Sequence, residues 1–177
     1  MGKIERIVYV GPSLYGVQVG HLPGELWRPP AAQGDILRDV ITIAPRAIVL
    51  LDGVFHQSLA VWHKEIVYAL LEGVIVIGAA SMGALRAAEL HRYGAIGIGR
   101  VFEMYRDGEE DDSLVAMTYD PETYRPLSEA PIGSEVKRSD ALEAISFGRS
   151  YKGEPFTTLK KDAITPFLQV VLDRILD

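Results

Sequence analysis

The residue whose type and surroundings most favour catalysis is Ser81. An apolar run at residues 74–77 predicts a buried strand, small residues follow at 78–80, and an alanine-rich helix is predicted at 82–92. This order is close to the strand–turn–helix of a nucleophile elbow, G-x-S-x-G, with Ala79 in the first glycine position. Backbone N–H groups and the helix dipole favour a developing anion at such a helix start. We therefore interpret Ser81 as a nucleophile.

The small residues beside Ser81 predict a tight turn with room for a substrate. Small residues at 79, 80 and 83 allow the backbone to turn sharply and a substrate to approach closely, and Gly78 is a further candidate for substrate binding. We expect the backbone N–H group of Met82 or Gly83 to receive the oxyanion. Two other interpretations stay open, because serine is the commonest helix N-cap and a helix start can also hold a bound phosphate.

A base for this serine is offered by Lys64, in a helix predicted at residues 59–72. Its neighbours at helical spacing are largely apolar, so we expect the helix to be covered on both sides and Lys64 to lose much of its solvation. A lysine needs a pKa about three units below its usual value of ~10.4 to act as a base near pH 7. The alternative is a lysine whose charge reaches solvent. The apolar stripe of this helix consists of Leu59, Trp62, Ile66 and Leu70.

Further candidate residues follow the other strands or flank the pair. Asp52 can orient Lys64 or cap the next segment, and Ser13 can be a second nucleophile, an anion contact or a turn residue. Arg86 can hold a substrate carboxylate or pair with Glu89 on the surface. These residues extend the predicted site without defining its chemistry.

His63 and Glu65 are secondary candidates. His63 can act as a base, although it borders the apolar stripe, where a core histidine is the ordinary interpretation. The four histidines show no close metal-ligand spacing, and His56 and His63 share a helix face only if the helix begins early. We predict neither a metal site nor a cofactor.

The elements that must position these residues alternate along the chain. Strands are predicted at 4–10, 46–51 and 74–77, and helices at 35–43, 59–72 and 82–92. This alternation predicts an α/β fold with three layers, a mostly parallel sheet between flanking helices. The strands' carboxyl ends then gather at one edge, where open parallel sheets bind ligands.

The remaining segments give weaker patterns. Residues 15–34 are rich in glycine and proline and predict a loop, and 120–131 predict a linker or lid. Helices are predicted at 101–106, 134–146 and 160–176, and the acidic stretch 109–112 can begin another. We divide the chain into an α/β core, 1–120, and a linker with a C-terminal helical appendage, 121–177, within one compact unit.

Composition excludes several classes of protein. The chain has 177 residues, 48% of them hydrophobic, a net charge of −6 and no cysteine. The negative charge argues against nucleic-acid binding, and the lack of cysteine excludes disulfides and a persulfide on this chain. No apolar run approaches the ~18 residues of a membrane span. The first residues lead directly into a strand pattern and leave no room for a signal peptide, so we predict a cytoplasmic protein.

Taken together, these motifs resemble the TfuA-like family. The similarity spans residue 9 to about residue 116, with no comparable match in the helical tail. Two departures, Ala95 where methionine is expected and Ser113-Leu114 where acidic character is expected, lie outside the predicted site. The matching stretches are 9–14, 51–55, 61–66, 78–90, 93–99 and 111–112.

The resemblance implies a function that the residues alone do not. Proteins of this family work beside YcaO enzymes, which use ATP to activate a peptide-backbone amide for thioamidation. The TfuA-like partner is implied to hydrolyse a C-terminal thiocarboxylate on a ThiS-like ubiquitin-fold sulfur carrier and to assist YcaO in engaging its peptide. The family's Ser–Lys pair maps by motif onto Ser81 and Lys64.

Two alternatives to this hydrolase stay open. The chain can be a non-catalytic scaffold that raises the affinity of YcaO for its peptide, with Ser81 as an N-cap. It can also be a small anion- or nucleotide-binding module with a phosphate at the Ser81 helix, although the lysine-bearing glycine loop of a Walker site is absent from the sequence. A homo-oligomer is compatible with all three.

Overall fold

A computed structural model describes residues 3–54, 59–109 and 111–160, and its centre is a five-stranded parallel sheet. The strand order is β2-β1-β3-β4-β5, and every neighbouring pair is parallel. This confirms the predicted α/β class. The strands are β1 (Arg6–Tyr9), β2 (Glu25–Arg28), β3 (Ala47–Leu50), β4 (Ile75–Ala79) and β5 (Ile96–Ile98).

Helices cover both faces of the sheet. One face packs with α1 and α2, and the other packs with α5, which confirms the three layers. The C-terminal helix is confirmed as α5, whereas the helix predicted at 160–176 lies almost wholly outside the described residues. No helix in the described ranges is long and apolar enough to cross a bilayer. The helices are α1 (Asp35–Ile43), α2 (His63–Leu71), α3 (Met82–Leu90), α4 (Arg100–Arg106) and α5 (Ser134–Ser150).

The burial of the central strand β3 explains why its sequence is a continuous apolar run. All four of its residues are buried. Ile48 and Leu50 join the cluster under α1 and α2, and Val49 joins the cluster under α5. A parallel strand covered on both faces needs apolar side chains at every position, not at alternate ones.

Two strands were not predicted. The edge strand β2 lies within the segment predicted as a loop, where its sequence Glu-Leu-Trp-Arg is half polar and flanked by turn residues. The other edge strand, β5, has three residues with Gly97 at its centre. A Cβ at Gly97 would overlap the Phe102 ring, so this glycine lets α4 pack on the strand. Short edge strands carry too little apolar pattern to be recognised locally.

The prediction for α2 was wrong in its start and in its burial. The helix begins at His63, and the chain before it is not helical at Leu59 and Trp62, which are 69% and 40% exposed. Its buried face consists of Glu65, Ile66, Ala69 and Leu70. The opposite face is exposed at its first turn, so α2 is covered on one side only.

The contact of α3 with β3 demands a glycine at position 83. The Gly83 amide donates a hydrogen bond to the Leu51 carbonyl oxygen at 3.2 Å, and a Cβ at Gly83 would overlap the Leu50 carbonyl oxygen. Gly83 is therefore required for helix–strand packing, and its predicted role in the approach of a substrate stays a prediction. The same close contact involves Gly78, whose added Cβ would overlap the Gly83 carbonyl oxygen.

We expect Gly83→Ala to lower the free energy of unfolding by about 3 kcal/mol or more, since backbone must move to admit the methyl group. Gly73→Ala is the matched control. Gly73 has φ +76° with no atom within 4 Å of an added Cβ, so its cost is backbone strain of about 1–2 kcal/mol. Urea unfolding of both variants measures the difference. Equal stability of the two would contradict this explanation of Gly83.

Candidate functional site

Ser81 stands where β4 ends and α3 begins, after a strained turn. Ala80 has φ +67°, and the Ser81 amide donates to the Ala79 carbonyl oxygen at 2.8 Å, which closes a γ-turn around Ala80. An alanine in the left-handed region costs about 1–3 kcal/mol, and such strain clusters at functional sites. The sharp turn predicted before Ser81 is present, with Ala80 as its sharpest point.

The Ser81 hydroxyl does not cap α3. Ser81 holds the N-cap position, but its side chain makes no capping hydrogen bond. Its Oγ instead donates to the Val115 carbonyl oxygen at 3.3 Å, and the residue is only 6% exposed. The Ser81 side chain therefore does not serve as a helix cap, which is the ordinary structural role of a serine at this position.

A buried lysine shares this acceptor. Lys137 on α5 is 0% exposed, and its Nζ donates to the same Val115 oxygen at 3.1 Å. The distance between Ser81 Oγ and Lys137 Nζ is therefore no greater than the sum of their two bonds to that oxygen. Lys137 forms no ion pair with any residue in the described ranges. Burial lowers the pKa of Lys137, against an opposing effect of the Asp52 charge.

Lys64 does not meet the expectation of burial. It is exposed on the first turn of α2, because the side of the helix that packs inward carries Glu65 and Ile66. The helix begins only at His63, so the apolar residues at 60 and 61 that were expected to flank Lys64 are not part of it. Lys137 has the environment that was predicted for Lys64.

Asp52 and Ser13 lie together at the carboxyl edge, as expected for residues that follow β3 and β1. Asp52 Oδ2 accepts hydrogen bonds from the amides of Gly11 at 2.8 Å and Ser13 at 3.0 Å. Its Oδ1 accepts the Ser13 hydroxyl at 2.6 Å. Both residues are buried. They occupy the crevice between β1 and β3, where the strand order reverses and open parallel sheets of this order bind ligands.

The other candidates form surface or capping contacts. His63 is exposed, not a core histidine, and its Nε2 lies 2.7 Å from Glu89 Oε2. Arg86 Nη1 also donates to Glu89, at 2.8 Å, and its Nε donates to the Val61 carbonyl oxygen at 3.0 Å. The surface-pairing alternative for Arg86 is thus the one observed. These three side chains join the first turn of α2 to α3.

Glu65 is occupied by structural hydrogen bonds. Its carboxylate accepts the amides of Trp62 at 3.2 Å and Leu37 at 3.4 Å, so it satisfies the open amides at the starts of α2 and α1. Burial raises its pKa, against the effect of these hydrogen bonds. A carboxylate that holds two helix starts is a poor candidate for proton transfer.

Of the two amides expected to receive an oxyanion, that of Gly83 already donates to Leu51. The Met82 amide, at the first position of α3, is the remaining candidate. It follows Ser81 directly, and the dipole of a nine-residue helix adds to its effect on an anion. In the described ranges no group of three or more histidine, aspartate or glutamate residues is placed to hold a metal ion.

We did not predict Lys137 from the sequence, although one signal was available. The buried positions of α5 follow a helical period, and Lys137 occupies the first of them. A lysine in an inward-facing stripe is a candidate for burial and a shifted pKa. The stripe consists of Lys137, Asp140, Ala141, Ala144, Ile145 and Gly148.

Comparison with known proteins gives a match at the level of the family. The family model described as TfuA-like protein matches residues 52–161, which include Asp52, Ser81 and Lys137. The match begins later than the resemblance found in the sequence and extends through α5, where we had found none. No curated protein matches the chain. Since the matched segment covers more than half of its residues, the chain belongs to the TfuA-like family.

Proposed function

We propose that this protein hydrolyses the C-terminal thiocarboxylate of a ThiS-like ubiquitin-fold carrier and supplies the sulfide to a YcaO enzyme, with Ser81 as nucleophile and Lys137 as base. Membership of the TfuA-like family supports a role associated with thioamidation beside a YcaO-type enzyme. The observation that carries the catalytic part is the shared acceptor: a serine that caps no helix and a fully buried lysine both bond to the Val115 oxygen.

The base in this proposal is Lys137, not Lys64. A lysine that is buried without an ion-pair partner in the described ranges favours its neutral form, which is the form that accepts a proton. Lys64 is exposed and lacks the desolvation that would favour that form. Ser–Lys pairs are a known variant of base-activated serine catalysis.

In the first half of the reaction, Ser81 Oγ attacks the thiocarboxylate carbon while its proton passes to neutral Lys137. The substrate is already an anion, so the tetrahedral intermediate carries a second negative charge. The Lys137 ammonium and the Met82 amide stabilise that charge. The ammonium then gives its proton to sulfur, the carbon–sulfur bond breaks, hydrosulfide leaves, and an ester to Ser81 remains.

In the second half, Lys137 takes a proton from water as the water oxygen attacks the ester carbon. The ammonium returns the proton to Ser81 Oγ when the ester bond breaks, which releases the carrier as the carboxylic acid. The acid then loses its proton through solvent to hydrosulfide, which gives the ordinary carboxylate and hydrogen sulfide. The overall reaction converts one thiocarboxylate and one water into one carboxylate and one hydrogen sulfide. Because the chain has no cysteine, sulfide passes on without a persulfide on this protein.

The bonds to Val115 describe a resting arrangement of the pair. For proton transfer, Ser81 Oγ must donate to Lys137 Nζ, but both groups donate to the Val115 oxygen instead. Val115 ends the 3-10 turn Asp112–Val115, which begins at the last residue of the acidic stretch 109–112. We propose that docking of the carrier or YcaO displaces this turn and lets the pair meet.

The test is sulfide release from a thiocarboxylated carrier. We expect the wild-type protein to release sulfide over many turnovers, well above the rate in buffer, and to release none from the same carrier with an ordinary carboxylate. Binding of the YcaO substrate peptide is measured in parallel. Release at the buffer rate, together with tighter binding of the peptide by YcaO, would favour the scaffold alternative instead.

A further inference from the structure

A buried carboxylate outside the Ser81–Lys137 pair, that of Asp52, lies at the carboxyl edge of the sheet. The residue is 1% exposed and forms no ion pair with any residue in the described ranges. Three donors around its carboxylate, two amides and the Ser13 hydroxyl, offset part of the desolvation cost. They also fix the carboxylate in one orientation. Glu65 is held in a similar way between two helix starts, whereas Asp52 lies in the crevice where open parallel sheets bind ligands.

Its neighbours place Asp52 between the helix of Ser81 and the helix of Lys137. On one side, the Leu51 carbonyl accepts the Gly83 amide, and an added Cβ at Gly53 would lie 2.8 Å from Met82 Cγ. Both residues flanking Asp52 therefore touch the first turn of α3. On the other side, α5 packs against the 3-10 turn Pro12–Leu14, whose Ser13 supplies two of the three donors to the carboxylate.

The Asp52 carboxylate also acts electrostatically on Lys137. The charge of Asp52 raises the pKa of Lys137 and so opposes the larger, lowering effect of burial. The Asp52 charge also acts on Tyr119, since burial and, to a smaller extent, that charge raise the pKa of its phenol. The buried carboxylate of α5 itself, that of Asp140, accepts the amides of Arg100 at 3.0 Å and Val101 at 2.8 Å and so caps α4.

We infer that Asp52 is the third member of the site, a positioning residue whose fixed carboxylate stabilises the ammonium that Lys137 becomes when it takes the Ser81 proton. The inference rests on the proposed function. Asp52 acts through Lys137 and touches no reacting atom. Its role is that of a counter-charge, comparable in purpose to the aspartate that stabilises a catalytic imidazolium, but exerted across space without a direct hydrogen bond.

Removing the Asp52 charge should have two effects on the pH–rate profile, one on its acid limb and one on its plateau. Without Asp52 the pKa of Lys137 falls further, so the lysine stays neutral to lower pH and the acid limb of the pH–rate profile moves down. The ammonium formed during the reaction also loses its counter-charge, so the plateau rate falls. A purely structural residue would lower the plateau and leave the acid limb in place.

The experiment compares Asp52→Asn with Asp140→Asn, a matched control that neutralises another buried carboxylate on the Lys137 helix. The asparagine carbonyl can accept the two amides while its NH₂ donates to Ser13 Oγ, so the turn can be kept. We expect the acid limb of kcat to move down by about one pH unit and the plateau to fall about tenfold in Asp52→Asn. Asp140→Asn should leave the acid limb unchanged.

A second measurement separates this inference from the proposed function. The carbon resonances of ¹³C-labelled lysine report the titration of Lys137 without any substrate, and Lys137→Met assigns the signal. We expect Lys137 to titrate at lower pH in Asp52→Asn than in the wild type, whether or not the carrier is hydrolysed. An unchanged titration in folded Asp52→Asn overturns the inference, while absent sulfide release by the wild type overturns only the hydrolase.

If Asp52→Asn does not fold, Ser13→Ala supplies the test. It removes the donor at 2.6 Å and leaves the carboxylate charge less compensated. Lys137 should then titrate at slightly higher pH than in the wild type, the opposite direction from Asp52→Asn. A titration that is the same in Ser13→Ala and in the wild type would then overturn the inference.

Discussion

Lys137→Met should abolish most sulfide release while the protein stays folded. General-base catalysis contributes typically about 10²–10⁴-fold, so we expect a loss of that order in kcat. Methionine fits the volume of lysine and carries no charge, and replacing a buried uncompensated lysine by an apolar residue tends to leave stability unchanged or raise it. The measurements are steady-state sulfide release and urea unfolding. Loss of activity without loss of stability identifies a catalytic role.

Lys64→Met is the matched comparison for this prediction. Lys64 is exposed on α2, so its replacement should retain most of the wild-type rate. The pH–rate profile of the wild-type protein is a further check. Sulfide release should fall as the pH falls through the pKa of Lys137, since the protonated lysine cannot accept the Ser81 proton. A Lys64→Met variant that is inactive beside an active Lys137→Met would return the role of base to Lys64.

Ser81→Ala should remove the nucleophile and lower sulfide release by on the order of 10³-fold or more. The stability cost should be well below the ~1 kcal/mol of a lost N-cap, because the Ser81 hydroxyl makes no capping bond. Acid quenching during turnover, followed by mass spectrometry, should show the carrier joined to Ser81 as an ester in the wild type only.

The quench experiment also distinguishes two roles for Ser81. Loss of release with a detectable ester in the wild type supports nucleophilic attack. Loss of release with no ester, even at early times, would mean that Ser81 orients the attacking water. Undiminished release from folded Ser81→Ala would contradict both roles and favour a scaffold.

The parallel sheet and the residues at the ends of its strands were largely predictable, because local sequence patterns determine them. The apolar runs of β1, β3 and β4 and the small residues before Ser81 sufficed to predict a parallel sheet with Ser13, Asp52 and Ser81 at one edge. A buried parallel strand must be apolar throughout, and strand ends of one sheet necessarily meet at the same edge. These relations do not depend on which helix packs where.

The identity of the buried lysine depended on the tertiary structure. Lys64 lies among largely apolar residues in the sequence and Lys137 does not, yet Lys64 is exposed and Lys137 is buried, because only the packing of each helix decides which of its faces is covered. A sequence cannot indicate that the Val115 carbonyl oxygen is the shared acceptor, because every residue has a carbonyl group. The sequence alone thus determined the position of Ser81 at the carboxyl edge of the sheet. The packing of α5 and of the 3-10 turn that ends at Val115 decided which lysine lies beside Ser81. The physical reason is that the desolvation of a side chain is a property of the folded chain.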